Sequence, residues 1–279
     1  IDFTYFSTID GPAIFALPIS NASGFGYALV NGIKVQRKGI EISANAVPVY
    51  QPNGLKWDIS ANYSTNQSYL KEIYPGVENY NIYLKVGDRM DKMYGSDFVR
   101  NDDGQIINDA SGRPIRNSVT QFLGYTNADW VGAMRNTLTY KGISFSFQID
   151  GRFGGTILDY VEKKTYQGGR HIATVEGAMG EARANDILGI KSYIGEGVVV
   201  SNGAAIEYDA DGKITNSSEL EFAPNTTATY VQDYISRYYG TDASTSISRT
   251  FVKLREVTLT YSLPKSMLSR TMLQQASIS

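Results

Sequence analysis

The residues that decide the fold are 143–152, which read ISFSFQIDGR. Apolar side chains stand at the odd positions from Ile143 to Ile149, and polar or charged side chains stand at every even position from Ser144 to Arg152. Successive side chains of an extended chain point to opposite sides. The alternation therefore predicts a β-strand with one apolar face and one polar face.

The same alternation recurs along the chain. It is clear in residues 38–46 and 55–64, it returns after Arg255, and it is weaker in residues 127–140. These patterns predict about seven strands. We expect them at Phe3–Ile9, Ala28–Pro48, Leu55–Thr65, Asp129–Tyr140, Ile143–Gly154, Ile247–Leu263 and Thr271–Ser279.

The connections between these strands alternate between short and very long. Short turns are predicted at Pro52-Asn53-Gly54, at Lys141-Gly142 and at Pro264–Arg270. Residues 66–128 and 155–246 are long connections of 63 and 92 residues. Because alternate connections of an up-and-down sheet lie at opposite ends, both long connections should leave from the same end.

This arrangement is typical of an outer-membrane β-barrel, which has short turns on one side and long loops on the other. A soluble β-sandwich would show the same alternation, but loops of this length are unusual in a compact soluble domain. Strands of about ten residues, tilted by about 45°, span roughly 25 Å. Aromatic residues near both strand ends fit girdles at the two membrane interfaces. They are Trp57, Tyr140 and Tyr261 beside short turns, and Tyr63 and Phe153 beside long loops.

Both ends of the sequence fall in strand-like runs, Asp2–Ser7 and Gln275–Ser279. Bare strand edges are avoided in natural domains, and bacterial single-chain barrels have an even number of strands. We therefore expect an internal piece of a larger barrel, with the remaining wall in other sequence.

Composition argues against several other classes of protein. With 26 Lys+Arg against 28 Asp+Glu, the chain has no basic excess for binding nucleic acid. It has no Cys and a single His, His171, so thiolate or His-ligated metal sites and a Ser-His-Asp triad are not expected. Asp150 and Glu256 could suggest a glycosidase, but charged pairs along a wet surface explain them better. We predict no enzyme activity, no catalytic residue, no metal and no cofactor.

The long connections contain local structure of their own. Asp103-Gly104 and Asp211-Gly212 predict hairpin turns within residues 98–107 and 205–215. The second resembles a calcium loop, but Ser218 stands where the bidentate Glu would be required. Short surface helices are expected in residues 156–166 and 176–185.

Four segments, in order, resemble the SusC/RagA family of TonB-linked outer-membrane proteins. FVKLREV at 251–257, followed by LTYSLP at 259–264, resembles a late-strand signature of that family. The other three are NG at 31–32 with KGIE at 38–41, RNT at 135–137 with YK at 140–141, and D-x-R-x-GG at 150–155. Arg37 stands where the family usually has Asn. The match extends over essentially the whole chain.

The resemblance implies the C-terminal part of a 22-stranded barrel, without its plug domain and its final strand. It further implies TonB-driven import of oligosaccharides or peptides across the outer membrane of Bacteroidetes. TonB would act through an N-terminal region that is missing here. A SusD-like surface lipoprotein would cover the external loops, and the apolar face would contact outer-membrane lipid.

Two groups of residues are candidates for function. Six charged residues on the predicted polar faces are expected to line the lumen: Lys56, Asp58, Arg135, Asp150, Arg152 and Glu256. Six tyrosines in the long loops are candidates for contact with ligand or lid, or for packing inside the loops: Tyr80, Tyr83, Tyr94, Tyr234, Tyr238 and Tyr239. The alternatives are a passive outer-membrane porin or adhesin and, less favoured, a secreted β-sandwich module that binds glycans. A secreted glycosidase ranks last.

Overall fold

The computed structural model describes residues 1–81, 83–269 and 273–279. Its strands are β1 (Asp2–Pro18), β2 (Tyr27–Tyr50), β3 (Leu55–Ile73), β4 (Asn79–Asn81), β5 (Leu84–Lys85), β6 (Lys92–Gly95), β7 (Gln121–Tyr125), β8 (Trp130–Tyr140), β9 (Ile143–Phe153), β10 (Thr156–Leu158), β11 (Val198–Val200), β12 (Phe222–Pro224), β13 (Ser246–Ser248), β14 (Phe251–Ser262) and β15 (Ser277–Ile278). Its α-helices are α1 (Tyr160–Gln167), α2 (Gly177–Ile187), α3 (Val231–Tyr238) and α4 (Lys265–Leu268). Short 3₁₀ turns lie at Asn21–Ser23, Ile172–Thr174, Ser217–Glu219 and Asp242–Thr245.

The chain divides into two compact units. The first, here called the sheet unit, comprises Ile1–Lys92, Tyr125–Gly155 and Arg249–Ser279. The second, here called the loop unit, comprises Met93–Gly124 and Thr156–Ser248. Within the described residues, no helix has the length and apolarity needed to cross a membrane.

The sheet unit is built on a seven-stranded antiparallel sheet in the order β1-β2-β3-β8-β9-β14-β15. This confirms the predicted all-β fold with a large antiparallel sheet. The strands β1 and β15 stand at opposite ends of that order, so over the described residues the sheet is open.

Most predicted strands are present, and the differences are mainly in length. β1 extends nine residues beyond Ile9, to Pro18, and β3 continues past Thr65 to Ile73. The strand expected at Ile247–Leu263 is interrupted, because Ser246–Ser248 pairs with β10 instead of with β9. The last strand, expected at Thr271–Ser279, begins in residues outside the described part and is a strand only at Ser277–Ile278.

The short turns follow from residues that tolerate positive φ. Lys141 and Gly142 have φ of 46° and 85°, the two-residue geometry whose twist suits a hairpin. Asn53 has φ of 61° in the turn between β2 and β3, where the Gly54 N–H donates to the Gln51 carbonyl at 2.9 Å. The third short connection, expected at Pro264–Arg270, joins Ser262 to Ser277 and contains α4.

The register shows that both long connections leave the sheet at the same end. Ser64 of β3 pairs with Val131 of β8, and Trp130 pairs with Phe153 of β9. Arg152 in turn pairs with Phe251, the first residue of β14. We call this the loop end of the sheet, and its position confirms the prediction made from the connection lengths.

The loop unit holds two apolar clusters. One joins Tyr166, Ala182, Val231, Ile235 and Tyr239, which lie on α1, on α2 and on or just after α3. The other joins Val99, Ile107 and Val198. Both Asp-Gly turns form as predicted, with Gly104 and Gly212 each at φ of 78°. The first predicted helix starts later than expected, because residues 156–158 form β10 and the helix begins at Tyr160.

Candidate functional site

The site begins with the two faces of the large sheet. Cross-strand neighbours point to the same face, so the residues paired across the strands form rows that each lie on one face. The row Leu138, Phe145, Leu259 is apolar, and the row two residues along, Asn136, Phe147, Val257, is apolar with one exception. The row between them carries Thr137, Ser146 and Thr258, and the row beyond Asn136 carries Arg135, Gln148 and Glu256.

The apolar face is open rather than covered by protein. Leu254 and Leu259 are 63% and 62% exposed, and Ile143 and Phe145 are 48% and 38% exposed. Large apolar side chains in one continuous exposed surface mark a contact with lipid or with another protein. A packed second layer would bury these side chains, and the described residues supply no such layer over this face.

Aromatic rings gather at the loop end of the apolar face. The rings of Trp130 and Phe153 stack with centroids 3.9 Å apart, and Tyr63 lies 5.6 Å from Trp130. Gly132 and Gly151 face each other across the ladder, and a Cβ on Gly151 would stand 2.9 Å from the Phe153 ring. The two glycines thus leave the space that the rings occupy, which explains glycine inside otherwise regular strands.

One polar residue stands in the apolar face. Asn136 is 4% exposed, and its Oδ1 accepts a hydrogen bond of 3.1 Å from the indole N–H of Trp57. Burial of an indole N–H is costly without an acceptor. Asn136 therefore allows a tryptophan to lie on this face with its polar atom satisfied.

The polar face carries the predicted charged residues, and most of them form ion pairs. The Lys56 ammonium lies 2.8 Å from the Asp58 carboxylate, and Arg135 lies 3.3 Å from Glu256. Arg135 and Glu256 flank Gln148 from the two neighbouring strands. Their side chains are 48% and 44% exposed, so these pairs adjust the charge of a wet surface more than they add stability.

Asp150 is held by a residue that the sequence analysis missed. Arg255 donates to both carboxylate oxygens of Asp150, at 2.9 and 2.7 Å. The register shifts between Leu254 and Glu256, so Arg255 is the extra residue of a β-bulge. The bulge adds one more charged side chain to the polar face than strict alternation would allow.

The signal for this bulge was present in the sequence. Before it, the apolar side chains of β14 are at even positions, Val252 and Leu254. After it, they are at odd positions, Val257, Leu259 and Tyr261. A change of phase within a strand requires an extra residue, since a strand has a side-chain period of two.

Arg152 differs from the other predicted lumen residues. It lies at the loop end of the polar face and lines a cavity of about 270 Å³. Its Nε is buried, and among the described residues it has no hydrogen-bond partner. The six predicted residues therefore share one face. Four of them form two ion pairs with each other, Asp150 pairs with Arg255, and Arg152 pairs with no carboxylate of the described residues.

A compact charge cluster lies beside that cavity. Arg89 donates to Asp91 at 2.9 and 2.8 Å and to Asp129 at 3.0 Å, and its guanidinium stacks on Tyr125 at 3.8 Å. Burial would raise the pKa of Asp91, but the hydrogen bonds from Arg89 and from the Asn127 N–H outweigh it and hold that pKa below its usual value. The sequence analysis missed this cluster, because Asp129 lies 40 residues after Arg89 in the chain and alternation does not report their contact.

The loop tyrosines divide into half-buried and buried groups. Tyr80 lies 5.8 Å from Phe15 in the sheet unit, and Tyr94 lies edge-on to Phe122 at 5.6 Å in the loop unit. Tyr234 and Tyr239 are 5% and 9% exposed. Burial raises the pKa of both phenols, and for Tyr239 a hydrogen bond with Tyr166 adds to it.

These positions show packing for the tyrosines of α3 and leave ligand contact as a prediction. Tyr234 and Tyr238 also line a cavity of about 320 Å³ in the loop unit, together with Arg100 and Glu196. Tyr83 is half-buried. Within the described part of the chain, no group of three or more His, Cys, Asp or Glu side chains is placed to hold a metal ion.

The two carboxylates that could suggest a glycosidase, Asp150 and Glu256, are both engaged by arginine. Asp150 is bound by Arg255 and Glu256 by Arg135. The geometry therefore favours charge compensation as the role of both groups.

Comparison with known proteins relates the chain to transporters through its fold alone. The chain matches no protein-family model, and it matches no curated protein. It is similar to chains in solved structures of the RagAB peptide transporter, with TM-score 0.58 and 17% identity, and of the RagAB peptide importer in a closed-closed state, with TM-score 0.58 and 16% identity. The open-open state of that importer gives TM-score 0.57 and 13% identity. Each comparison covers 99% of this chain but only 27–28% of the other, so the chain spans little more than a quarter of their length.

Proposed function

We propose that the sheet unit is part of the wall of an outer-membrane β-barrel that imports peptides or oligosaccharides. The observation that carries the proposal is the seven-stranded sheet itself, with one open apolar face and one polar face lined by ion pairs. Lipid contact requires strands whose backbone groups are all paired and whose outer side chains are apolar. The fold likeness to the RagAB chains and the sequence resemblance to the SusC/RagA family support the same function.

Under this proposal the polar face lines the lumen. Lys56 with Asp58, Arg135 with Glu256 and Arg255 with Asp150 give a surface that water wets and that has little net charge. Such a surface lets polar cargo pass without binding it tightly. The rings of Tyr63, Trp130 and Phe153 would lie at the outer membrane interface, and Trp57, Tyr140 and Tyr261 at the inner one.

The whole transporter would contain more than this chain. The proposal assigns to other sequence a plug, a TonB-contacting segment and the remaining strands of a 22-stranded barrel. The loop unit would face outward and contact a SusD-like surface lipoprotein. That partner, the use of TonB and the choice between peptide and glycan come from the resemblance and from the name of the RagAB structures.

Cell fractionation tests the location. The parent protein should be recovered in the outer-membrane fraction and should migrate differently in gels before and after boiling, as folded barrels do. Recovery in the soluble periplasm would end the proposal. In a second step, uptake of a labelled peptide or glycan should stop when the proton gradient is collapsed. Uptake that persists would instead indicate a passive porin.

A further inference from the structure

We propose that the cavity around Arg152 binds a carboxylate group of the cargo. The inference rests on the importer function proposed above, which supplies the reason for a ligand to reach this face. The shared chemistry is a carboxylate, whether it comes from an acidic side chain of a peptide or from a uronic acid of a glycan.

The cavity is polar and contains one charged residue. It has a volume of about 270 Å³ and lies at the loop end of the polar face, between β3, β8 and β9. Besides Arg152, its polar lining comes from neutral side chains, mainly Ser64, Asn66, Ser68 and Asn127. No carboxylate appears in the lining formed by the described residues. The cavity therefore offers a cation and several hydrogen-bonding groups to an incoming anion.

Among the described residues, Arg152 forms no ion pair with a carboxylate, and the acidic residues of this region are engaged by other arginines. Asp91 and Asp129 are held by Arg89 at 2.8 and 3.0 Å. Asp150, two residues before Arg152, is held by Arg255 at 2.7 Å.

Arg152 differs from the other described arginines of the sheet unit in its partners. Arg37, Arg89, Arg135 and Arg255 each form an ion pair with a carboxylate. Arg249 donates to the Thr126 carbonyl at 2.9 Å. Arg152 instead has a buried Nε without a hydrogen-bond partner among the described residues.

A bound carboxylate would satisfy this guanidinium. Arginine presents planar, parallel donors that match the two oxygens of a carboxylate, and charge-assisted bonds of this kind are about twice as strong as neutral ones. Leaving a partly desolvated donor unpaired is unfavourable, so ligand binding would remove that cost. A cavity of about 270 Å³ accommodates one side chain or one sugar substituent and not a whole oligomer. It would act as a subsite that selects acidic cargo.

The test measures the binding of matched probes to the full-length protein, purified in detergent, by isothermal titration calorimetry. The peptide probes are capped pentapeptides with a central glutamate or a central glutamine. The glycan probes are a disaccharide containing glucuronate and its neutral glucose counterpart. Wild-type protein should bind at least one acidic probe about tenfold more tightly than its neutral counterpart. The pair that shows this preference identifies the source of the carboxylate.

Two variants distinguish a specific subsite from a general electrostatic effect of the positive charges on the polar face. Arg152→Gln should abolish the preference for the acidic probe. Lys253→Gln removes the same charge from a residue on the same face that lies outside the cavity lining, and it should leave the preference intact. The inference is wrong if wild type shows no preference, if Arg152→Gln retains it, or if both variants lose it equally. Arg152→Lys keeps the charge but lacks the parallel donors of the guanidinium, so it should retain a reduced preference. This variant shows whether loss of preference in Arg152→Gln reflects the lost charge or misfolding.

Uptake by intact cells distinguishes this inference from the proposed function. Wild type should import the preferred acidic probe faster than its neutral counterpart, and Arg152→Gln should import the two at similar rates. Wild-type import without any preference for the acidic probe would overturn the subsite alone. Absence of all import, with binding that still depends on Arg152, would overturn the importer and leave the subsite.

Discussion

The sheet unit and the loop unit treat their apolar side chains in opposite ways. In the loop unit large apolar groups lie inside, where Tyr234, Tyr239 and Ile235 are 5%, 9% and 8% exposed. In the large sheet they lie outside, where Leu254, Leu259 and Val257 are 63%, 62% and 55% exposed. Water alone drives apolar groups inward, as the loop unit shows. The opposite arrangement in the sheet indicates that something other than water covers that face.

The largest expected effect tests the loop-unit side of this comparison. Tyr234→Ala removes a buried ring that contacts Tyr193 and Tyr238 at centroid distances of 4.8 and 5.5 Å. Deleting a large buried aromatic side chain should destabilise the loop unit by about 3–5 kcal/mol. Hydrogen–deuterium exchange of α3 measures the free energy of local opening.

Tyr160→Ala is the matched control, because Tyr160 lies on α1 with 65% of its surface exposed. It should change the same opening free energy by less than about 0.5 kcal/mol. Equal effects of the two changes would mean that the aromatic cluster is not the core of the unit.

The second-largest effect tests whether the apolar face of the sheet unit contacts lipid. Val257→Arg places a charge in the middle of the apolar face, where Val257 pairs with Phe147. In contact with hydrocarbon, an arginine near the midplane should cost about 2–4 kcal/mol. If the face were in water, the same change at a half-exposed position would cost about 0.5 kcal/mol or less. Denaturant unfolding of the full-length protein in lipid vesicles measures the difference.

Thr258→Arg is the control, since Thr258 is the next residue and lies on the polar face. It should be tolerated, because the new side chain would lie on the polar face, where water can solvate its charge. If both variants were equally stable, the apolar face would have no lipid contact, and the proposed importer would fail with it.

A smaller effect concerns the charge cluster of the sheet unit. Asp91→Asn removes the charge that Arg89 binds, where the two side chains are only 8% and 10% exposed. The expected destabilisation is about 1.5–3 kcal/mol, the usual contribution of a hydrogen bond to a charged group. Asp10→Asn is the control, because Asp10 pairs with Arg37 at 52% exposure and should contribute little. Urea unfolding of the two variants should separate them.

Acid should weaken both units through their engaged carboxylates. Burial opposes ionisation of Asp91 and Asp242, but hydrogen bonds outweigh it and lower both pKa values below the ordinary 3.8. Arg89 donates to Asp91, and Lys163 and Ser96 donate to Asp242. A lowered folded-state pKa contributes stability above pH 3.8 that is lost as pH falls through the folded value. Thermal unfolding between neutral pH and strong acid should show this loss, and Asp91→Asn should have a shallower dependence in the sheet unit. An unchanged slope would contradict the assignment.

The sheet was largely predictable because a period of two is read directly from the sequence. The alternating residues Ile143, Phe145 and Phe147 and the short turn at Lys141-Gly142 could be predicted from local sequence alone. The end of β14 nearest the loops was not predicted correctly, because the bulge at Arg255 reverses the alternation. The interruption at 249–250 depends on pairing between Ser246–Ser248 and β10, which alternation does not encode.

The site was predictable as a face but not as a set of partners. Alternation placed Asp150, Arg135 and Glu256 on one side, since side-chain direction is local. Which arginine binds which carboxylate depends on the register, which is set by pairing with distant strands, and on the bulge, which only the change of phase within β14 signals. The engagement of Asp91 and Asp129 by Arg89 depends on loop packing that the sequence pattern does not report.

The smallest expected effect concerns an exposed ion pair on the polar face of the sheet unit. Arg135 and Glu256 lie 3.3 Å apart at 48% and 44% exposure, so solvent screens their attraction. A double-mutant cycle with Arg135→Gln and Glu256→Gln should give a coupling of about 0.2–1 kcal/mol. The coupling should fall further as salt is raised, because exposed charges are screened at physiological ionic strength. A coupling of several kcal/mol that is insensitive to salt would mean that this face is dry, and a dry polar face cannot line a lumen through which hydrated cargo moves.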